Sequence, residues 1–380
     1  PLNGAYTINP SAAASATNFQ SFAAVASALT AGIAGPVSFT VSPGTYPQVA
    51  ISGIFAGASA TNNIVFDGVN PSNRIISTST ASQSALLLNN TKYVTFKNFT
   101  ITNTIASGAT GVGIVNGANN TIQGCTILLP NVSTNTAYGI AVTSTANGYG
   151  TGATTADSII LDSNIITGGG TNGIYYGIMI YGNQSTAQNR GIVVTKNTVT
   201  LSYYMGFYIP YIYNAARFEY NNITMNPTYG YYGMYNYYHQ NSSTTQSTTY
   251  IGNVVRNWGG YGIYMYFNGS GGTATAPLKV YNNIVDNGTS TYGGTYGIYL
   301  YNTGYSEYYN NVTRMTYPST STSYTGLYYS GSANGLFKNN YFLCESTAGS
   351  SVPAYFATSP STSFVNYNAY YNKANNTLLY

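Results

Sequence analysis

Charge is almost missing from this chain. Of 380 residues, Lys plus Arg number 11 and Asp plus Glu 7, or 5% of positions. A typical soluble domain carries roughly 25%. The net charge of +4 is too thinly spread for a clustered basic patch, so nucleic acid is not an expected partner. There are only two cysteines, Cys125 and Cys344, and one histidine. That is no disulfide framework, and without a CxxC pair or a His cluster neither a metal nor a cofactor is expected. No run of about 18 apolar residues exists, which excludes a membrane-spanning helix. The chain opens at Pro1 without a signal peptide, so the expectation is a cytosolic protein or a processed form. A mean hydropathy of −0.06 and 15% aromatic residues exclude a disordered polar tail. Tyr and Gly are abundant, at 42 each. With Asn, Thr and Ser they predict a neutral, hydrogen-bonding surface.

Two strings recur. One is Asn-Asn-aliphatic-aliphatic, as in NNIT at 221–224, NNIV at 282–285 and NNVT at 310–313. Aligned on it, one column holds Asn164, Asn197, Asn222, Asn253, Asn283, Asn311, Asn340 and Asn368, with Phe99 and Cys125 ahead of them. The other is Tyr-Gly-Ile-Tyr-aliphatic, as in YGIMI at 176–180, YGIYM at 261–265 and YGIYL at 296–300. The two interleave one for one, about every 30 residues, so each repeat holds at least two short strands with period-2 alternation. No helical pattern separates them, which argues against βαβ units. The reading is all-β: a right-handed parallel β-helix with one turn per repeat.

In such a solenoid each column becomes a stack with rungs about 4.8 Å apart. Ile101, Ile127, Ile166, Val199, Val255, Val285 and Phe342 form one inward apolar column. Phe96, Ile122, Leu161, Val194, Val280, Phe337 and Val365 form another. The asparagines between them are expected to form a structural hydrogen-bonded ladder at a bend. Phe22, Val25, Ala26 and Leu29 stand at helical spacing within 18–32, predicting a short capping helix. The expected layout is an N-terminal cap over 1–36 and about eleven coils over 37–380. The apolar ending NNTLLY at 375–380 stops in mid-pattern, which predicts that another copy covers it.

The segments GAYTINP, FAAVASALTAGIAGPVSFTVSPGTYPQVAI, NNIVFDGVN and YVTFKNFTIT, over roughly 4–105, resemble the N-terminal part of secreted β-helix proteins of the Bacteroidota. The repeats beyond resemble the general right-handed β-helix repeat. The resemblance implies export and an extracellular or cell-surface location. Asp157-Ser158-Ile159 is similar to an O-glycosylation tripeptide of that phylum, which implies a glycan on Ser158.

A glycoside hydrolase needs two carboxylates about 5–10 Å apart. No acid falls in register with another in an adjacent coil, and neither polygalacturonase motifs nor a carboxylate cluster for Ca²⁺ is present. His239, alone in YYHQ, reads as a surface group. Arg256, Asp286 and Arg314 share a column in three consecutive coils and predict a salt-bridge ladder. Arg217 and Glu219 fall where other coils place apolar residues, which predicts a slipped strand with Phe218 inward rather than a buried ion pair. Outward tyrosines form two rows. Tyr208, Tyr235, Tyr264, Tyr299 and Tyr328 lie two residues after each repeat glycine, and Tyr181, Tyr237, Tyr266 and Tyr301 lie four after. They mark either strand-stabilising stacks or a binding or assembly face.

The expected function is therefore a non-enzymatic extracellular structural or adhesive protein, a cell-surface β-helix assembling with itself into a filament, with surface polysaccharide as a further partner. The alternatives are a polysaccharide-active enzyme of β-helix type, lyase or glycoside hydrolase, and a carbohydrate-binding module.

Overall fold

The computed structural model shows an all-β parallel solenoid of about eleven turns with 3% helix, in keeping with a right-handed β-helix. It describes residues 1–373 except 133–136, 145–155, 171, 183–188, 241–244, 269–271, 292–294, 317–323, 332–333, 346–350 and 359–364. The ending at 375–380 lies outside the described residues. The chain divides into two compact units, one of residues 1–174 and 179–189, the other of 175–178 and 190–380.

In the first unit, strands Leu2–Ile8, Ile33–Val41, Ile64–Asp67, Val94–Lys97, Thr121–Gln123 and Ile160–Asp162 pair in parallel, in that order. Residues before 37 therefore already contribute a strand. Register partners Phe39, Phe66 and Phe96 stack inside, with ring centroids 4.9 and 4.4 Å apart. The predicted helix is Phe22–Leu29; its N-cap Ser21 accepts from the Ala24 N–H, and Phe22, Val25 and Leu29 are buried. Phe22 packs on Phe66 and Phe96.

In the second unit each coil carries three strands, where the sequence disclosed two. The first-strand sheet is built from Val193–Thr195, Arg217–Glu219, Thr249–Ile251, Leu278–Tyr281, Ser306–Tyr309 and Gly335–Lys338. Its inward column is Val194, Phe218, Tyr250, Val280, Tyr308 and Phe337, all buried. Val365, expected in that column, is 40% exposed. The second strands bury Val199, Ile223, Val255, Val285 and Phe342. The third strands are Tyr232–Tyr237, Tyr261–Tyr266, Tyr296–Tyr301 and Thr325–Ser330, again in parallel register.

The Asn-Asn string has a physical reason. The residue before each ladder position takes a left-handed backbone, as at Asn282 (φ 57), Asn310 (φ 56) and Asn339 (φ 55), where Asn is better tolerated than most residues. The second Asn turns inward. Asn283 Nδ2 donates to Tyr250 O at 2.9 Å and to Asn311 Oδ1 at 2.9 Å. Its Oδ1 accepts from the N–H and Nδ2 of Asn253. The same pattern joins Asn197, Asn221, Asn253, Asn283, Asn311, Asn340 and Asn368. In the first unit Asn164 bonds the Cys125 N–H and Ile122 O.

The ladder thus runs through Asn221, not Asn222. The left-handed bend falls on Tyr220 (φ 58), one residue earlier than the Asn-Asn string implied. Asn222 instead opens the next strand and accepts from Arg256 Nη1 at 3.0 Å. The early bend also sets Phe218 inward and leaves Arg217 and Glu219 on the outer face, as the predicted slip required.

Candidate functional site

The early bend builds a polar trough. On the outer face of the first-strand sheet, Arg217, Thr249, Lys279, Glu307 and Leu336 follow one another in register. Beside them run Glu219, Ile251, Tyr281, Tyr309 and Lys338. A cavity of about 430 Å³ touches Arg217, Glu219, Thr249 and Lys279. A second, of about 330 Å³, touches Tyr305, Ser306, Glu307 and Asn334.

The two carboxyls differ. Glu219 is bound by Arg217 Nη2 at 2.7 Å and by the Thr249 hydroxyl at 2.6 Å. Burial pushes its carboxyl up, but these hydrogen bonds and the Arg217 charge outweigh that and hold it below the ordinary range. Glu307 lies opposite Lys279 and accepts a hydrogen bond from the Tyr281 hydroxyl. Burial pushes its carboxyl above the ordinary range, against the opposing charges of Lys279 and Lys338. Tyr281 and Tyr309 stack with centroids 5.0 Å apart, and the Lys338 ammonium lies 6.0 Å from the Tyr309 ring centre. Glu219 and Glu307 are three rungs apart, roughly 14 Å at one strand spacing per rung. That exceeds the separation of a hydrolase carboxylate pair.

The sequence reading missed Lys279, Tyr281, Glu307, Tyr309 and Lys338 as a group because it looked for acids in register with acids and for a base beside a Ca²⁺-binding carboxylate cluster. The usable signal was a charged or phenolic residue at the outward positions flanking Phe218, Val280, Tyr308 and Phe337.

The other expected residues are distributed as follows. Tyr235, Tyr264, Tyr299 and Tyr328 stack in file at 4.9, 5.1 and 4.6 Å, and Tyr208 joins Tyr235 at 5.5 Å. Tyr237, Tyr266 and Tyr301 stack at 5.1 and 4.8 Å. A third file, unforeseen, is Tyr232, Tyr261 and Tyr296 at 5.0 and 5.3 Å. Tyr181 belongs to the first unit, where its N–H bonds Val142 O. Arg256, Asp286 and Arg314 share a register. Arg314 lies 3.7 Å from Asp286 and 3.2 Å from Glu345, whereas Arg256 donates to Asn222. Ser158 occupies a turn at φ 55, part-exposed.

His239 corrects its expectation. It is 1% exposed, with Nε2 at 2.5 Å from Ile209 O and Nδ1 at 2.5 Å from the Tyr250 hydroxyl. Burial lowers its pKa to about 4. Both cysteines are free and buried; burial raises the Cys125 thiol to about 12, which makes it unreactive. Among the described residues no group of three or more His, Cys, Asp and Glu could hold a metal, and no helix is long and apolar enough to cross a membrane.

No protein-family model matches the chain, and no curated protein matches it in sequence. Solved structures similar to it include the Dettilon tailspike protein, at 13% identity and TM-score 0.49, covering 88% of this chain and 62% of that one. The chain therefore spans less than two thirds of the tailspike's length. A Paenibacillus alginate lyase is 12% identical with TM-score 0.40, covering 72% of this chain and 95% of that one. A pectate lyase is 13% identical with TM-score 0.39, covering 91% and 77%. These neighbours stand against the expectation of a non-enzymatic adhesive or filament-forming protein; at 12–13% identity and TM-scores below 0.5 the likeness is one of fold alone, and the polysaccharide-active alternative stands as a proposal. That expectation rested on finding neither paired carboxylates for hydrolysis nor a base beside a Ca²⁺-binding carboxylate cluster for elimination.

Proposed function

We propose that the protein acts on an acidic polysaccharide outside the cell, and that the trough around Glu307 is its active site. One observation carries the reading: a carboxyl raised above its ordinary range, hydrogen-bonded by a tyrosine, with one lysine opposite it on the preceding rung and another on the following rung. Arg217, Lys279 and Lys338 offer cations along the trough for the carboxylates of a uronate chain. Lys279 and Lys338 neutralise the carboxylate of the reacting sugar, which acidifies the proton on the adjacent carbon. Glu307, a stronger base than an ordinary carboxylate, takes that proton. The electron pair forms the new C=C bond as the neighbouring C–O bond breaks, and Tyr309 protonates the leaving oxygen. Tyr281 orients Glu307 through its hydrogen bond. The products are an unsaturated uronate at one new end and a free hydroxyl at the other.

The test is incubation with pectate, alginate and other uronate polymers, followed by the ultraviolet absorbance of the unsaturated product. Cleavage of at least one polymer is expected, rising with pH through a value above the usual carboxylate range. Glu307→Gln should lose at least about a hundredfold in rate, the usual range for a proton-transfer group. Absence of unsaturated product from every polymer overturns the reading, as does full activity of Glu307→Gln.

A further inference from the structure

The three tyrosine files lie on the third-strand sheet, which the trough does not include. Their rings stand half-buried on the outer face, while the alternate residues Met234, Ile263, Met265, Ile298 and Leu300 are fully or almost fully buried. Within each file the rings are nearly parallel, 7° for Tyr235–Tyr264, 2° for Tyr264–Tyr299 and 7° for Tyr266–Tyr301. Each face is therefore covered by its neighbour, an offset stack. A sugar ring cannot lie flat on a face that is already occupied. The edges and hydroxyls are what the files present.

Five of those hydroxyls are unused. Among the described residues, Tyr235, Tyr264, Tyr299, Tyr266 and Tyr301 make no hydrogen bond through their side chains. Burial and neighbouring phenols push Tyr235, Tyr261, Tyr264 and Tyr299 above their ordinary range, to about 12 at Tyr235 and Tyr261. No Asp, Glu, Lys or Arg occurs in the three files, whose other occupants are Met205, Pro210, Thr325 and Ser330. An ionic partner would find no counter-charge there, whereas a neutral polyhydroxyl chain finds donors and acceptors throughout. The spacing points further. Hydroxyl-bearing rings repeat every 4.6–5.1 Å from Tyr235 to Tyr328, close to the advance of one pyranose in an extended β-1,4-linked chain.

We propose that the tyrosine files form a binding surface for a neutral, extended β-1,4-linked glycan, which lies along the files with one sugar ring per coil. The surface is separate from the trough, and each can fail without the other.

Co-sedimentation with microcrystalline cellulose and with chitin tests this. The wild-type protein is expected to pellet with at least one of them and to remain soluble without them. The variant Tyr264→Phe, Tyr266→Phe, Tyr299→Phe, Tyr301→Phe keeps every ring and removes four hydroxyls from the comb. It should bind at least about tenfold more weakly while cleaving soluble uronate polymer as before. Soluble β-1,4 oligosaccharides should gain affinity with each added sugar up to about the number of stacked rungs. Should the four-site variant misfold by circular dichroism, Tyr266→Phe with Tyr301→Phe at the outer file carries the same expectation in smaller measure. Failure of the wild type to bind either glycan overturns the proposal. So do unchanged binding by a folded Phe variant, pelleting without glycan, and equal loss of affinity for an acidic polymer.

Discussion

His239 is the residue whose environment departs most from its surroundings in sequence. It follows Tyr237 and Tyr238, both part-exposed, yet its own ring lies in the core between Phe218 and Tyr250. Alternation alone would turn 239 outward with 235 and 237; the left-handed backbone at Tyr238 (φ 53) ends the strand and sends the ring inward, with Ile209 O and the Tyr250 hydroxyl as partners. The Nε2–H donates to Ile209 O, and the Tyr250 hydroxyl donates to Nδ1, which fits the neutral ring. The folded pKa of about 4 lies below the unfolded value of about 6.5. The stability contribution is therefore fully present above about pH 6.5 and is lost as pH falls from there to about 4. The loss is on the order of 3 kcal/mol. Urea midpoints measured between pH 7 and 5 should fall with decreasing pH, and His239→Gln should flatten that limb. An equal slope in the variant would place the proton uptake elsewhere.

At the scale of the element, the asparagine ladder and the glycine column hold coil to coil. Each ladder Asn satisfies buried backbone groups on the preceding rung as well as its own side chain, so the corner needs no water. The repeat glycines serve a different constraint. A Cβ at Gly206, Gly233, Gly262 or Gly297 would come 2.5–2.6 Å from the carbonyl oxygen of the next glycine in the column, closer than any real contact, so coils could not approach to strand spacing. Asn283→Ala strands the Asn253 N–H and Nδ2 and removes the donor to Tyr250 O. Unsatisfied buried groups cost about 1–3 kcal/mol each, so a loss of about 3 kcal/mol or more is expected in chemical denaturation. Asn222→Ala, one residue from the ladder at Asn221 and part-exposed, should cost well under half of that. Equal costs would mean that the ladder passes through Asn222 after all.

On the scale of the whole molecule, cohesion depends little on charge. Of the four ion pairs among the described residues, three join part-exposed partners, and such pairs contribute about 0–1 kcal/mol each; the fourth joins exposed Arg217 to buried Glu219. The stacked columns, the ladder and the aromatic files are neutral. The thermal midpoint should accordingly move little between low and high salt, whereas capture of a uronate polymer by the sparse cations of the trough should weaken steeply with salt. A midpoint that collapses in salt would show that the ion pairs carry the fold. Concentrating chemistry on one neutral scaffold also explains how a chain with 5% charged residues still assembles a site with three cations and two carboxylates.

The parallel solenoid was legible in the chain because a repeat stacked at strand spacing forces each column to obey one rule. Columns at Ile101, Ile127, Ile166, Val199, Val255, Val285 and Phe342 could be placed inside from their alternation alone, and the asparagine and tyrosine files read off the same frame. Sequence also excluded a spanning helix and a disulfide framework, since both need residues that are not there. At 217–225 the residue pattern called for the slip that turns Phe218 inward, and tertiary structure decided where the bend falls. The choice between a left-handed bend at Tyr220 and one at Asn221 depends on whether Phe218 or Glu219 enters the core, an energy difference set by neighbouring coils rather than by the local string. It also decided the trough. Glu219, Lys279, Tyr281, Glu307 and Lys338 are separated by 60, 2, 26 and 31 positions in sequence, and only parallel pairing through successive rungs brings them onto one face. The burial that raises Glu307, and the corner that hides His239, are products of that packing.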